Sequence, residues 1–193
     1  MIKTLVVLCA FWANTTLGAN NTFSDFFNSL ESLKANFTQI TLSETNALIQ
    51  TTSGTLAFQR PQQLRWHTTQ PNEQILLLNN NELWLVDNEL EQASLQQIQD
   101  FSNTPLYWLI NKPNTLTSLP TFSHHQAGVD WYTTSTQPQA LGFGFKENRL
   151  QAISLKNALG QTVLINFDQL RVNPKIKAEI FKLNLDPAFD VIR

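Results

Sequence analysis

The chain has 193 residues with 13 basic and 15 acidic side chains, a formal net charge of −2. It is long enough to bury one substantial core, and its mild acidity argues against a nucleic-acid partner, which rewards basic surfaces. Cys9 is the single cysteine, so neither an intrachain disulfide nor a thiolate metal cluster can be built.

Lys3, the apolar run from Leu5 to Trp12, and small or polar residues up to Ala19 have the pattern of a secretory signal peptide. The run is too short to cross a bilayer. A buried N-terminal strand is the alternative. Cys9 follows Leu8 inside the apolar run rather than a group of small residues after it, so lipidation is not expected. The expected organisation is a cleavable leader over residues 1–19, cut near Gly18 or Ala19, and a single domain over residues 20–193. That domain has no cysteine and must rely on its core alone in an oxidising compartment.

The segment TFSDFFNSLESLKANFTQI, residues 22–40, places Phe23, Phe26, Phe27, Leu30, Leu33, Phe37 and Ile40 at spacings of three and four. This predicts one long amphipathic helix with a phenylalanine-rich face, its start capped by Thr22 or Ser24. Short strands are then expected over residues 54–58, 64–68, 74–78, 82–87 and 93–98, with NNNE as a turn. TPLYWLI predicts a short helix from Thr104 with Pro105 at its first position. After a Pro/Thr/Ser-rich stretch over residues 112–121, strands resume over residues 129–134, 141–145, 150–155, 162–167 and 179–183, with NALG as a hairpin turn. Consecutive strands with one long helix predict a mainly β fold, a strongly curved antiparallel sheet covered by helix. Several strands are apolar on both faces. In ELWLVD, Leu83 and Leu85 point one way and Trp84 and Val86 the other. The second face could line an apolar cavity or form the core of a sandwich.

Catalytic chemistry is sparse. His67, His124 and His125 lack HExxH or HxH spacing, so no metal is expected. Ser123, His125 and Asp130 could be combined on paper, but no GxSxG elbow singles out a nucleophile. Gly142 and Gly144 in LGFGF lack the rest of a dinucleotide fingerprint. No catalytic residue and no cofactor is expected.

In RPQQLRWHTTQP, Pro61 places Arg60 at a strand end. Arg60 is either a solvated arginine beside a turn or a donor to backbone carbonyls of a covering helix, closing an apolar cavity.

The run RPQQLRWHTTQPNEQILLLNNNELWLVDNELEQA, with FSNTPLYWLI, FTQ, GTLAF, LGQ and the terminal DVI, resembles the periplasmic outer-membrane lipoprotein carrier family. The resemblance covers roughly residues 22–192 and is densest over residues 54–110. It implies an incomplete antiparallel β-barrel under an α-helical lid, in the periplasm and without enzymatic activity. It implies an acylated lipoprotein cargo, taken from an inner-membrane ABC exporter and passed to an outer-membrane receptor. Arg60 matches the arginine that latches the family's lid. Leu64 stands where some members carry a cavity-facing Phe, and Trp66, Leu76, Leu78, Trp84 and Val86 fall in strands of the family's concave sheet. Phe27, Leu30, Leu106 and Leu109 complete the expected cavity lining. The sequence ends at Arg193, where some members continue into a longer tail. Lys112, Lys146 and Arg149 are either docking charges or ordinary solubilising ones. A monomer is expected. The alternative role is an envelope sensor or amphiphile-binding module on the same scaffold.

Overall fold

The computed structural model describes residues 22–96, 104–134, 140–157 and 159–193. The expected signal peptide lies outside them, as does the end of the strand expected over residues 93–98. A short helix, α1 (Thr22–Ser29), leads into β1 (Ser32–Leu42), β2 (Leu48–Gln59), β3 (Gln63–Gln70), β4 (Gln74–Asn79), β5 (Glu82–Asp87) and β6 (Gln92–Gln96). Then come α2 (Pro105–Ile110), a 3-10 turn (Pro113–Thr115), β7 (Thr121–Gln126), β8 (Val129–Thr133), β9 (Leu141–Lys146), β10 (Arg149–Lys156) and β11 (Thr162–Val172). A second 3-10 turn (Ala178–Phe181) and β12 (Asp190–Ile192) close the chain.

All twelve strands belong to one sheet, in the order β12-β6-β5-β4-β3-β2-β1-β11-β10-β9-β8-β7. Two meanders, β1–β6 and β7–β11, are joined side by side through antiparallel pairing of β1 with β11. Short turns suit this arrangement. Ala127 and Gly128, and likewise Glu147 and Asn148, take positive φ in two-residue hairpin loops, whose backbone twist matches that of paired strands.

This order corrects the expected strongly curved incomplete antiparallel barrel. The sheet is open, with β7 and β12 as its two ends. It is also mixed, because β12 runs parallel to β6. A meander pattern in sequence specifies neighbours along the chain. It does not specify whether the first and last strands bend round to meet, and here every residue of both end strands is exposed.

Two further expectations are corrected. The long helix over residues 22–40 is α1 followed by β1. Leu33 and Phe37, four apart, suit a helix, but four is also an even number, and Leu33, Ala35 and Phe37 lie buried at period two. The strand expected over residues 179–183 is largely the second 3-10 turn, with Phe181 fully buried beneath it. β7, not anticipated, carries no buried residue and hence no apolar alternation to read.

The register sorts the side chains onto two faces. The larger apolar layer lies between the helices and the sheet and includes Phe23, Phe27, Leu33, Phe58, Leu64, Leu78, Trp108, Phe143 and Phe145. On the opposite face Ile75, Leu77, Trp84, Val86 and Ala93 are covered by Leu183, Leu185 and Phe189 of the C-terminal segment. β4 and β5 thus carry apolar residues on both faces, with Leu83 and Leu85 on the helix-facing side of β5 only partly covered.

Phe143 is fully buried and packs edge-on to Phe23, Phe27 and Trp108. Phe143→Ala is expected to cost about 3–5 kcal/mol of unfolding free energy, the range for deleting a buried aromatic. Denaturant unfolding with an unchanged slope checks this; a loss below about 1 kcal/mol would show that the aromatic layer is not the main core.

Candidate functional site

A helix leaves its last carbonyls without intrahelical donors, and its C-terminal end favours positive charge. α1 and α2 both end beside Arg60, at the end of β2. The Arg60 guanidinium donates from Nη1 to the carbonyls of Phe27 (2.9 Å) and Leu30, from Nε to that of Leu109 (2.8 Å) and from Nη2 to that of Asn111 (3.0 Å). One planar fork therefore serves four carbonyls from the ends of two helices. Arg60 is half-buried, and burial pulls its ionisation below the ordinary arginine value while nearby Glu31 opposes that shift. It keeps its charge.

Three contacts reinforce the junction. Lys112 Nζ donates to Glu31, joining the α1–β1 turn to the segment after α2. The Asn114 backbone N–H donates to Asn28 Oδ1 at 3.0 Å. From the far side, Asn173 Oδ1 accepts from the Glu31 and Ser32 backbone N–H groups (2.7 and 3.1 Å), and its Nδ2 donates to the Ser29 carbonyl (2.9 Å). Sequence reading did not single out Glu31, Asn111 or Asn173. The only local signal was an asparagine before a proline in VNPK, a turn-former suited to the positive φ that Asn173 adopts.

Phe27, Leu30, Leu64, Leu78 and Leu109 join the core between helices and sheet, and Trp66 and Leu106 pack against it half-buried. Phe37 and Trp66 lie ring to ring with centroids 4.1 Å apart. Leu76 pairs with Trp66 across β3 and β4 on the same face and is half-buried. Beside it Leu85 is 37% exposed, so the apolar strip runs out from under the helices. Trp84 and Val86 do not join this set; they lie on the opposite face under the C-terminal segment. The underside of the helices carries two orphaned donors, Ser24 Oγ and Trp108 Nε1, buried without a hydrogen-bond partner.

Of the other sequence candidates, His125 Nδ1 pairs with Asp130 at 2.7 Å in the open, while Ser123 bonds His124 instead, so the three do not form a relay. Among the described residues no group of three or more His, Cys, Asp or Glu side chains could hold a metal. No described helix is long and apolar enough to cross a membrane. Lys112 is engaged with Glu31, and Arg149 Nη2 donates to the Leu170 carbonyl at 2.6 Å.

The site is an apolar sheet face closed by two short helices, held at their ends by a single arginine. An apolar face that runs out beside its cover at Trp66, Leu76 and Leu85 is chemically suited to apolar partners. The chain belongs to the outer membrane lipoprotein carrier protein LolA family, whose model matches residues 28–184. It is similar to the outer-membrane lipoprotein carrier proteins of Pseudomonas aeruginosa (30% identity, 86% of this chain and 83% of that one) and Pseudomonas paraeruginosa (28% identity, 100% and 99%). An uncharacterised conserved protein from Thermus thermophilus shares the fold, with a TM-score of 0.54 at 9% identity over 89% of this chain and 94% of that one. The protein is a periplasmic lipoprotein carrier and chaperone, not an enzyme.

The hydrogen bond from Lys112 holds the Glu31 carboxyl below its ordinary pKa of 4.5. A carboxyl depressed in the folded state stabilises it above the unfolded pKa and loses that contribution as pH falls through the folded one. The tie between the α1–β1 turn and the α2 end is therefore complete above about pH 4.5 and weakens below it. NMR titration is expected to place Glu31 lower in the native chain than in Lys112→Met, where it returns toward 4.5; equal midpoints would remove Lys112 as the cause.

Proposed function

We propose that Arg60 is the latch of a cargo-gated cover formed by α1 and α2. The acyl chains of a lipoprotein occupy the helix-facing side of the sheet once that cover yields. The supporting observation is the set of four bonds from one guanidinium to carbonyls of both helix ends. Each such bond from a charged group is worth about 1.5–3 kcal/mol net, so the latch amounts to about 6–12 kcal/mol before the entropy of ordering the helices. Burying a methylene returns about 0.8 kcal/mol, so roughly ten methylenes offset a latch of ~8 kcal/mol. A long acyl chain supplies that.

The closed arrangement also carries its own strain. Ser24 Oγ and Trp108 Nε1 are buried unpaired, each at a cost of about 1–3 kcal/mol. Opening lets both reach water or a polar group of the cargo. The half-buried Trp66 and Leu76 and the more exposed Leu85 give the chains a first apolar foothold beside the cover. Phe27, Leu30, Leu64, Leu78, Leu106 and Leu109 line the path inward.

In this reading the carrier takes its cargo from an inner-membrane ABC exporter and yields it to an outer-membrane receptor. A latch made of backbone-directed bonds suits both steps. It closes the empty carrier against water, and it offers no charged contact to the acyl chains that would hold them at delivery.

Arg60→Leu is expected to lower the rate of cargo pick-up and hand-over at least tenfold in a reconstituted transfer assay, with a much smaller change in the denaturant midpoint. Arg60→Lys, with one ammonium in place of a planar fork, falls between the two. A leucine variant that unfolds far more easily yet transfers cargo normally would make Arg60 a structural residue. Recovery of phospholipid in contact with the helix-facing Trp66 and Leu78, without acylated peptide, would argue for a different amphiphile.

A further inference from the structure

The face away from the helices holds a second cleft. On it Lys34 stands directly opposite Arg171 across β1 and β11, and Ala57 separates Lys34 from Arg65 across β2. These three cations line a hollow of about 380 Å³, walled by Ile180 of the C-terminal segment, and its lining contains no carboxylate. The protein as a whole is acidic, at −2. None of the three makes an ion pair or a side-chain hydrogen bond among the described residues. Glu73, the acid nearest in effect to Arg65, is already bonded to His67 at 2.7 Å. Burial pulls the Arg65 ionisation down, and the charge of Glu73 opposes that shift only in part.

Arginine and lysine are donors only. Three of them line one hollow whose side-chain acceptors are the neutral Asn36, Thr55 and Gln169, so donors and positive charge predominate there. The strands beneath it, β1, β2, β3 and β11, are interior to the sheet, so their backbone groups are committed to the ladder. An incoming peptide would bring N–H groups with few acceptors to meet. A phosphate brings acceptors alone. At Arg65 and Ile180 the hollow meets a second one of about 320 Å³, whose lining includes Ile75, Leu77, Val86 and Leu183. The cationic half thus continues into one where Ile180 and Leu183 lie half-buried over the buried Ile75, Leu77 and Val86, with Glu179 and Lys182 also in the lining.

We infer that this cleft binds the phosphate of an anionic amphiphile, with Lys34, Arg65 and Arg171 on the phosphate and the half-buried Ile180 and Leu183 of the C-terminal segment against its apolar part. It lies on the face opposite the helices, and its occupant is a phospholipid rather than the acyl chains of cargo. The apolar continuation favours a lipid headgroup over free phosphate as the source.

The probe is monomeric dihexanoyl phosphatidylglycerol, with inorganic phosphate and a hexaglutamate peptide as competitors, followed by backbone NMR. The expected result is binding at least tenfold tighter than phosphate, weakened by salt, with shifts at Ala57, Arg65, Arg171 and Ile180. Arg65→Gln combined with Arg171→Gln should weaken it at least tenfold. The exposed single variant Arg171→Glu, which leaves the core untouched, should do the same, while Lys175→Gln with Lys177→Gln should not. Arg60→Leu should leave this binding intact while slowing cargo transfer, which separates the cleft from the latch. Equal affinity for phosphate, tighter binding of hexaglutamate, or shifts confined to Trp66 and Leu78 on the helix-facing side would each overturn the assignment.

Discussion

The closed form of this carrier depends on backbone carbonyls that two helices cannot satisfy themselves. α1 and α2 are too short to be stable alone; eight and six residues fall well below the length at which isolated helices persist in water. They exist because their undersides pack on the sheet and because Arg60 gathers the carbonyls at their ends. Phe23 against Trp108, with centroids 5.3 Å apart, ties the two helices to each other above Phe143. One side chain thus joins both ends, Nη1 serving the α1 end and Nε and Nη2 the α2 end. Its bonds run to carbonyls, which every residue has, so side chains on the helices remain free to vary with the cargo.

The sheet gives that cover something to close on because its other face is occupied. In β3, Leu64 and Trp66 point to the helices while Arg65 and His67 point away; in β5, Leu83 and Leu85 point to the helices while Trp84 and Val86 lie under the C-terminal segment. Covering the far face with Leu183, Leu185 and Phe189 removes from water a patch that would otherwise attract other chains. The helix-facing side can then stay partly open without making the whole molecule adhesive.

Much of this was legible in the sequence. ELWLVD was bounded to the residue as β5, and Pro105 marked the first turn of α2, because local turn and cap chemistry decides both. Arg60 could be placed at a strand end because Pro61 cannot donate to a ladder. What it bonds could not be placed, since carbonyls carry no sequence signature. The extent of α1 was misjudged because Leu33 and Phe37 fit both periods, and only tertiary pairing with Phe58 and Phe167 settles which one operates. Trp84 and Val86 could not be assigned a face because their alternating neighbours Leu83 and Leu85 are equally apolar. The open, mixed sheet was illegible for a similar reason. β12 is three exposed residues whose parallel place beside β6 depends on Phe189 and its neighbours reaching the far-side core.

A single pleated layer therefore separates two different chemistries. In β3, Leu64 and Trp66 meet the helix-facing core, and Arg65 between them meets the cationic cleft beside the C-terminal segment. In a sheet this alternation is obligatory, so the two faces cannot trade residues without a register slip that would expose the whole apolar set. The long pairing of β1 with β2, from Ser32 opposite Gln59 to Leu42 opposite Leu48, makes such a slip costly. If the helices lift in the way proposed, the strands beneath them, and the hollow behind, can keep their positions. On the proposed reading, motion is confined to a cover resting on a fixed sheet, with the four Arg60 bonds as its main hold.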